Sequence, residues 1–263
     1  MPQDSLVIAA AQSASAPGDF PENIARHLRF GEIAAEQDVQ MLVFPELSLT
    51  GYEPTLARAN SFRPDDSRLD PLLRLAEENH MTLVAGAPIL NDKDELLVGA
   101  FAMCADGTVV TYTKEYLHSG EERFFTPGLG GSCLRVEGAT VALAICADTT
   151  HPQHAASAAA RGADIYAAGV LITENGYEAD TALLRQYSLQ HKMAVLMANH
   201  SAPTGGWVSA GKSAIWSNEG KLVAGSPGTD EALLIAKMRK DTWEGMVFPM
   251  PTSSAVGLSR GIV

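Results

Sequence analysis

The sequence predicts an α/β fold, and three observations predict it. Short runs rich in Val, Ile, Leu and Ala recur from end to end without strict in/out alternation, helical patterns lie between several of them, and Gly-containing turn pairs lie between others. Near-continuous apolar runs suit strands covered on both faces, so a largely parallel sheet flanked by helices is expected. The strand candidates are Leu6–Ala11, Val39–Phe44, Thr82–Pro88, Leu96–Cys104, Thr108–Tyr112, Thr140–Cys146, Ile165–Val170, Ala194–Asn199, Ser213–Trp216 and Leu233–Met238. Between the first two, residues 19 to 37 place Ile24, Leu28, Ile33 and Ala34 on one face, with Asp19 as N-cap and Glu22 three residues on. Residues 152 to 161 form an alanine-rich helix closed by Gly162, and residues 178 to 192 carry Leu183, Leu184, Tyr187 and His191 at helical spacing. Asp106-Gly107, Glu137-Gly138 and Glu219-Gly220 mark hairpins mixed into the parallel order, and residues 128 to 132 read as a glycine-rich loop.

Composition narrows the function. Lys and Arg number 19 against 31 Asp and Glu, a net charge of −12, in a chain of 263 residues that is 46% hydrophobic. Such an acidic surface is repelled by phosphate backbones and anionic lipid, so neither nucleic acid nor a membrane is an expected partner. The longest apolar runs fall far short of the ~20 residues that span a bilayer. The N-terminus shows no basic stretch of the kind that opens a secretory leader. One domain over residues 1–263 is expected, since a single core stops growing at about 250–300 residues. Three cysteines, Cys104, Cys133 and Cys146, are an odd count without paired spacing, which points to a reducing compartment and a cytoplasmic protein.

Three strand ends carry chemistry. Val43-Phe44-Pro45-Glu46 puts a carboxylate where an apolar strand gives way to a loop, the position at which α/β folds place working residues. Burial there would raise its pKa and make it a usable base. Thr111-Tyr112-Thr113-Lys114 ends in a cation. Leu143-Ala144-Ile145-Cys146 ends in a thiol, and Thr149, Thr150 and Pro152 read as the start of a helix whose amides favour a thiolate and an oxyanion. Cys104 and Cys133 have no such position and read as small buried side chains.

In the order Glu, Lys, Cys, the chain resembles the nitrilase superfamily of carbon–nitrogen hydrolases. The resemblance runs through Gly18-Asp19-Phe20-Pro21-Glu22-Asn23, Phe44-Pro45-Glu46-Leu47-Ser48-Leu49-Thr50-Gly51-Tyr52, Lys114, residues 121 to 128, Cys146-Ala147-Asp148, Arg161-Gly162-Ala163-Asp164, Ala198-Asn199 and residues 211 to 220. It implies a four-layer αββα sandwich of the nitrilase type, two central mixed sheets flanked by helices. It also implies a triad of Glu46 as general base, Lys114 as oxyanion stabiliser and Cys146 as nucleophile, with Glu121 orienting substrate or Lys114. The backbone N–H of Ala147 would share the oxyanion, and Tyr52, Thr173 and Asn199 would contact substrate. No cofactor or metal is implied. The implied partners are a small amide and a second copy of the chain, in a homodimer or higher homo-oligomer paired through helices.

The chain departs from the family where an aromatic residue and, three residues after it, an arginine usually follow the nucleophile: here stand Ala147 and Thr150. Near Ala198-Asn199, the usual helix Arg…Glu-Asn pattern is replaced by Tyr187…Gln190-His191. An amidase is expected before a nitrilase, whose branch is usually longer, and an N-carbamoyl hydrolase is the nearest alternative. A catalytically silent relative that binds a small molecule or a partner is the reading from another class. A papain-like Cys/His pair finds no strand-end histidine, and His151 with His154 reads as two polar residues at a helix start rather than a metal site. The negative net charge and the absence of an arginine at Thr150 favour a neutral or cationic substrate.

Overall fold

Alternate residues of one strand go into two different cores, and this decides the architecture. In strand β1 (Ser5–Gln12), Leu6, Ile8 and Ala10 face one apolar cluster while Val7, Ala9 and Ala11 face another. In β7 (Ala139–Ile145), Val141, Leu143 and Ile145 join the first cluster and Ala142 and Ala144 a third. The first cluster therefore lies between two sheets, and the others lie between each sheet and its helices. The result is a four-layer αββα sandwich, described by a computed structural model for residues 5–240 and 242–251. Of the expected domain span, residues 1–4, 241 and 252–263 lie outside the described residues.

The remaining elements, in chain order, are α1 (Phe20–Glu36), β2 (Met41–Val43), α2 (Pro54–Ala57), α3 (Asp70–Glu78), β3 (Thr82–Leu90), β4 (Leu96–Met103), β5 (Val109–Thr113) and β6 (Leu134–Val136). After β7 come α4 (Pro152–Ala160), β8 (Ile165–Val170), α5 (Glu174–His191), β9 (Ala194–Asn199), β10 (Ala214–Trp216), β11 (Leu222–Gly225), β12 (Ala232–Arg239) and β13 (Thr242–Pro249). One sheet has seven strands in the order β13-β12-β1-β2-β3-β4-β5, the other six in the order β11-β10-β9-β8-β7-β6. Both are mixed: β1-β2-β3 and β7-β8-β9 pair in parallel, the flanking strands antiparallel.

Asp19 caps α1 as expected, its carboxylate accepting from the Glu22 amide at 3.1 Å. The three Gly-containing turns join β4 to β5, β6 to β7 and β10 to β11. The alanines of α4 are used within the chain, with Ala155 and Ala158 buried against the six-stranded sheet. Two expectations are corrected. The last long helix starts at Glu174 rather than residue 178, and Thr149 and Thr150 belong to a 3₁₀ turn over residues 146 to 150 rather than to the start of the α-helix, which opens at Pro152 as expected. Five elements were not foreseen: α2, α3, β6, β11 and β13. Among the described residues no helix is long and apolar enough to cross a membrane.

Candidate active site

The segment Phe44-Pro45-Glu46 leaves β2 and passes between the two sheets. Gly86 of β3 and Gly169 of β8 make the passage: a Cβ on Gly86 would lie 2.7 Å from the Pro45 carbonyl oxygen, and one on Gly169 2.6 Å from that of Phe44. The His200 Nε2–H donates to the Glu46 carbonyl at 2.7 Å, and burial holds this imidazole neutral, lowering its pKa to about 4. Glu46 is thus fixed by backbone packing on both sides, and its side chain is buried.

Lys114 follows β5 directly. Its amide bonds Val98 at 2.9 Å and its carbonyl accepts from Gly128 at 2.7 Å, so the glycine-rich loop folds back on the strand that presents it. Thr113 and Gly130 exchange two further backbone bonds, and Gly128 has no room for a Cβ against the Thr113 side chain. The Lys114 Nζ donates to Glu46 Oε1 at 2.7 Å and to Glu121 Oε1 and Oε2 at 2.8 and 2.9 Å. Burial alone would lower the Lys114 pKa, but the negative neighbours, Glu46 foremost and Glu121 with it, together outweigh it and hold the ammonium charged. Glu121 opens a 3₁₀ turn (Glu121–Arg123) and also accepts from the Tyr52 hydroxyl at 2.8 Å and the His118 amide at 2.7 Å.

Cys146 stands just beyond β7 with φ 44°, a left-handed conformation that costs a non-glycine residue about 1–3 kcal/mol and that recurs at working sites. The turn it opens is held by the Asp148 carboxylate, which is fully buried. One of its oxygens accepts from the Ile145 amide at 2.9 Å and the Tyr112 hydroxyl at 2.8 Å, the other from the amides of Glu115 and Tyr116 at 3.0 and 2.9 Å. A single carboxylate therefore ties the residue before Cys146 to the two residues after Lys114, across the two sheets. Asp148 was quoted in the motif without a role; an acid two residues beyond the thiol, inside an otherwise neutral turn, is the signal that could have found it. Asp148→Asn would turn an NH₂ group toward two of these donors. It is expected to lower the unfolding free energy by about 1–3 kcal/mol with the fold retained, as read by urea denaturation.

Glu46, Tyr52, Glu121, Cys146, Ala147 and Thr173 all line one cavity of about 180 Å³. Lys114 lies behind the lining, wholly buried, with Glu46 and Glu121 between it and the open space. Asn199, expected as a substrate contact, is not part of the lining. Its amide group accepts from the Ile172 N–H at 2.9 Å and donates to the carbonyls of Ile172 and Gly211 at 3.0 and 2.8 Å, and so it shapes the wall from behind. Thr150, where the resemblance expects an arginine, sits on the cavity wall with its hydroxyl donating to Ala147 O at 2.9 Å. Tyr187 donates to Thr149 O at 3.0 Å and steadies the same turn.

The Glu46 Oε2 atom is buried without a hydrogen-bond partner among the described residues, on a group that faces the cavity. Burial raises the Glu46 pKa to about 7 against the pull of Lys114, and the Cys146 thiol is also pushed well up, by burial and then by the Glu46 charge. A proton acceptor active near neutrality thus lies beside a thiol that would otherwise keep its proton. His151 stacks on Tyr116 at 3.9 Å between ring centroids, and His154 bonds the hydroxyls of Tyr112 and Tyr166, each at 2.8 Å. Among the described residues no three His, Cys, Asp or Glu side chains are grouped to hold a metal ion.

A family model described as carbon–nitrogen hydrolase matches residues 7–246. A nitrilase of Pyrococcus abyssi is 28% identical over 211 residues, covering 78% of this chain and 79% of the relative. An (R)-stereoselective amidase of Pseudomonas sp. is 25% identical over 242 residues, covering 90% and 86%. The match to a glutamine-dependent NAD(+) synthetase of Thermotoga maritima, 26% identical, spans only 29% of that longer protein. Among solved structures, an amidase from Nesterenkonia sp. AN1 superposes with a TM-score of 0.82 at 26% identity, covering 90% of this chain and 92% of that one. That structure shows covalent addition of the acetamide moiety of fluoroacetamide at its active site cysteine, and another of the same amidase holds butyramide.

Proposed function

The chain belongs to the carbon–nitrogen hydrolase family, on the amidase-like side of the nitrilase superfamily, and from that membership we propose that it hydrolyses small linear carboxamides through a thioester on Cys146. The observation that carries the reading is the meeting, at one cavity, of the unpartnered Glu46 Oε2 and a thiol held at φ 44°.

Glu46 Oε2 takes the thiol proton as the Cys146 sulfur attacks the amide carbon. Charge gathers on the carbonyl oxygen, where Lys114 supplies positive potential from behind. The Ala147 amide, in the first turn of the 3₁₀ segment, lacks a carbonyl within that segment to bond and is available to the oxyanion. The intermediate collapses with cleavage of the C–N bond, and the proton on Glu46 leaves with the nitrogen as ammonia. Water then attacks the thioester, gives a proton to Glu46, and the C–S bond breaks as the sulfur recovers that proton. Glu121 acts through Lys114: it fixes the ammonium and, with Tyr52, shapes the cavity wall. Each step is acid–base or nucleophilic chemistry that these side chains supply themselves.

The test is the intact mass after a brief pulse of small amides, alongside ammonia release; an acyl adduct confined to Cys146 is the expected result. N-carbamoyl compounds and nitriles belong in the same panel, because the same thiol would attack them and one relative is a nitrilase. Absence of any adduct or alkylation at Cys146 in the native protein would favour a silent binding protein instead.

Glu46 also sets a pH profile. A base must be deprotonated to act, and burial raises this one to about 7. The kcat/KM for amides is therefore expected to rise as pH increases through that value. A profile flat across neutrality would remove Glu46 from the role.

A further inference from the structure

The cavity's chemistry changes along its depth. Its buried part holds Glu46 and Cys146, and its outer part is lined by Trp207, 47% exposed, by His118 and by Asp180 of α5. Asp180 is half-buried, yet among the described residues its carboxylate makes neither an ion pair nor a hydrogen bond. A side chain on a helix leans toward the helix N-terminus. Accordingly Asp180 Oδ2 lies over Gly176, one turn back, only 3.3 Å from where a Cβ on that glycine would be, and Gly176 and Thr173 are both cavity-lining residues. The carboxylate is thus carried along the wall toward the end of the helix that faces the thiol.

Of the cavity-wall residues only His118 acts on that charge, and it does so at a distance. Lys114 has its donors occupied by Glu46 and Glu121 behind the lining. His118 pairs through Nδ1 with the Ser119 carbonyl at 3.1 Å and meets Trp207 edge to face at 6.2 Å, and it makes no ion pair with Asp180. Where an arginine could have stood there is Thr150. Burial raises the Asp180 pKa and His118 only partly offsets it, without a hydrogen bond or ion pair to the carboxylate.

We propose that Asp180 is a specificity-determining residue: its carboxylate receives an ammonium group carried on the acyl chain, and the preferred substrates are short amino-substituted carboxamides. This rests on the amidase reading. Trp207 adds an aromatic surface in the same outer part of the cavity, where a cation is favoured over a neutral or anionic chain end. The assignment turns a net negative charge spread over the whole surface into a local selector at a named atom.

The test compares γ-aminobutyramide with its uncharged isostere pentanamide. The kcat/KM ratio is expected to favour the cation by about tenfold or more, as a charged hydrogen bond in a partly desolvated site provides. The ratio should collapse toward one in Asp180→Asn, persist in part in Asp180→Glu, and shrink with added salt. A wild-type ratio near one, or a preference undiminished in Asp180→Asn, overturns the assignment. Should Asp180→Asn fail to fold, Asp180→Ser carries the same comparison.

Calorimetric binding of both amides to Cys146→Ala, with and without Asp180→Asn, separates the two readings. Asp180-dependent binding of the cation without turnover by the native enzyme supports the subsite and overturns the amidase assignment. No Asp180-dependent binding overturns the subsite, whatever the turnover.

Discussion

Lys114→Met is expected to lose amide hydrolysis by about 10³-fold or more and to lose stability as well, by about 3–5 kcal/mol on the alkaline side of neutrality. The two losses share one cause. The ammonium is wholly buried and neutralises two buried carboxylates, at 2.7 Å from Glu46 and 2.8 Å from Glu121. Without it, the oxyanion loses the positive charge of the ammonium, and two buried like charges are left without a counter-ion. The sign of the pH dependence follows. Glu46 is already raised to about 7 by burial, with Lys114 pulling the other way, so removing Lys114 raises it further. A group raised in the folded state contributes its stability below its unfolded pKa and loses it as pH rises through the folded one. The deficit relative to wild type should therefore be largest above neutrality and shrink toward about pH 5, as the carboxyls take up protons. Urea denaturation at both ends of that range measures it; a deficit that does not change with pH would show that the carboxylates had found another partner.

Cys146→Ala is expected to do the opposite with stability. Amide hydrolysis should fall to background, a loss on the order of 10⁶-fold if the thiol is the nucleophile. The unfolding free energy should stay within about 1 kcal/mol of wild type, because the side chain is only partly buried and the turn is held by Asp148 rather than by sulfur. The backbone supplies a further comparison. At φ 44° an alanine inherits the strain of the cysteine, whereas a glycine does not. Cys146→Gly is therefore expected to be more stable than Cys146→Ala by about 1 kcal/mol and equally inactive. Ammonia release and urea midpoints on the three proteins decide both points; retained hydrolysis in either variant would remove the thioester from the mechanism.

What could be read from the sequence follows from where its signals are local. The parallel strands show because their residues are covered on both faces, and the N-cap of α1 shows because Asp19 and Glu22 are neighbours in sequence. Strand β13 shows no pattern: most of its residues are exposed, and its regularity comes from full-length antiparallel pairing with β12. Strands β6 and β11 are too short to display a period. Helix α3 did carry a signal, Asp70-Pro71 ahead of Leu72 and Ala76, which four residues apart lie on one face.

The same division holds at the site. Glu46, Lys114 and Cys146 end apolar strands and can be found there. The clamp of Asp148 joins residues more than thirty positions apart, and the placing of Asp180 depends on α5 beginning at Glu174. Asn199 stands at a strand end as well marked as the others, but that its amide is occupied by Ile172 and Gly211 shows only in three dimensions.

The two glycines that pinch Phe44-Pro45-Glu46 divide the molecule for anyone wishing to redesign it. At Gly86 and Gly169, behind Glu46, even one methyl group meets backbone that carries the glutamate, so these two positions offer no substitutions to a directed search. The outer wall of the cavity, built from the start of α5 and the loop bearing Trp207, contains partly exposed side chains. Variation in substrate range, in the laboratory or among descendants of this chain, is therefore to be sought in that wall, while the glycine pair stays invariant.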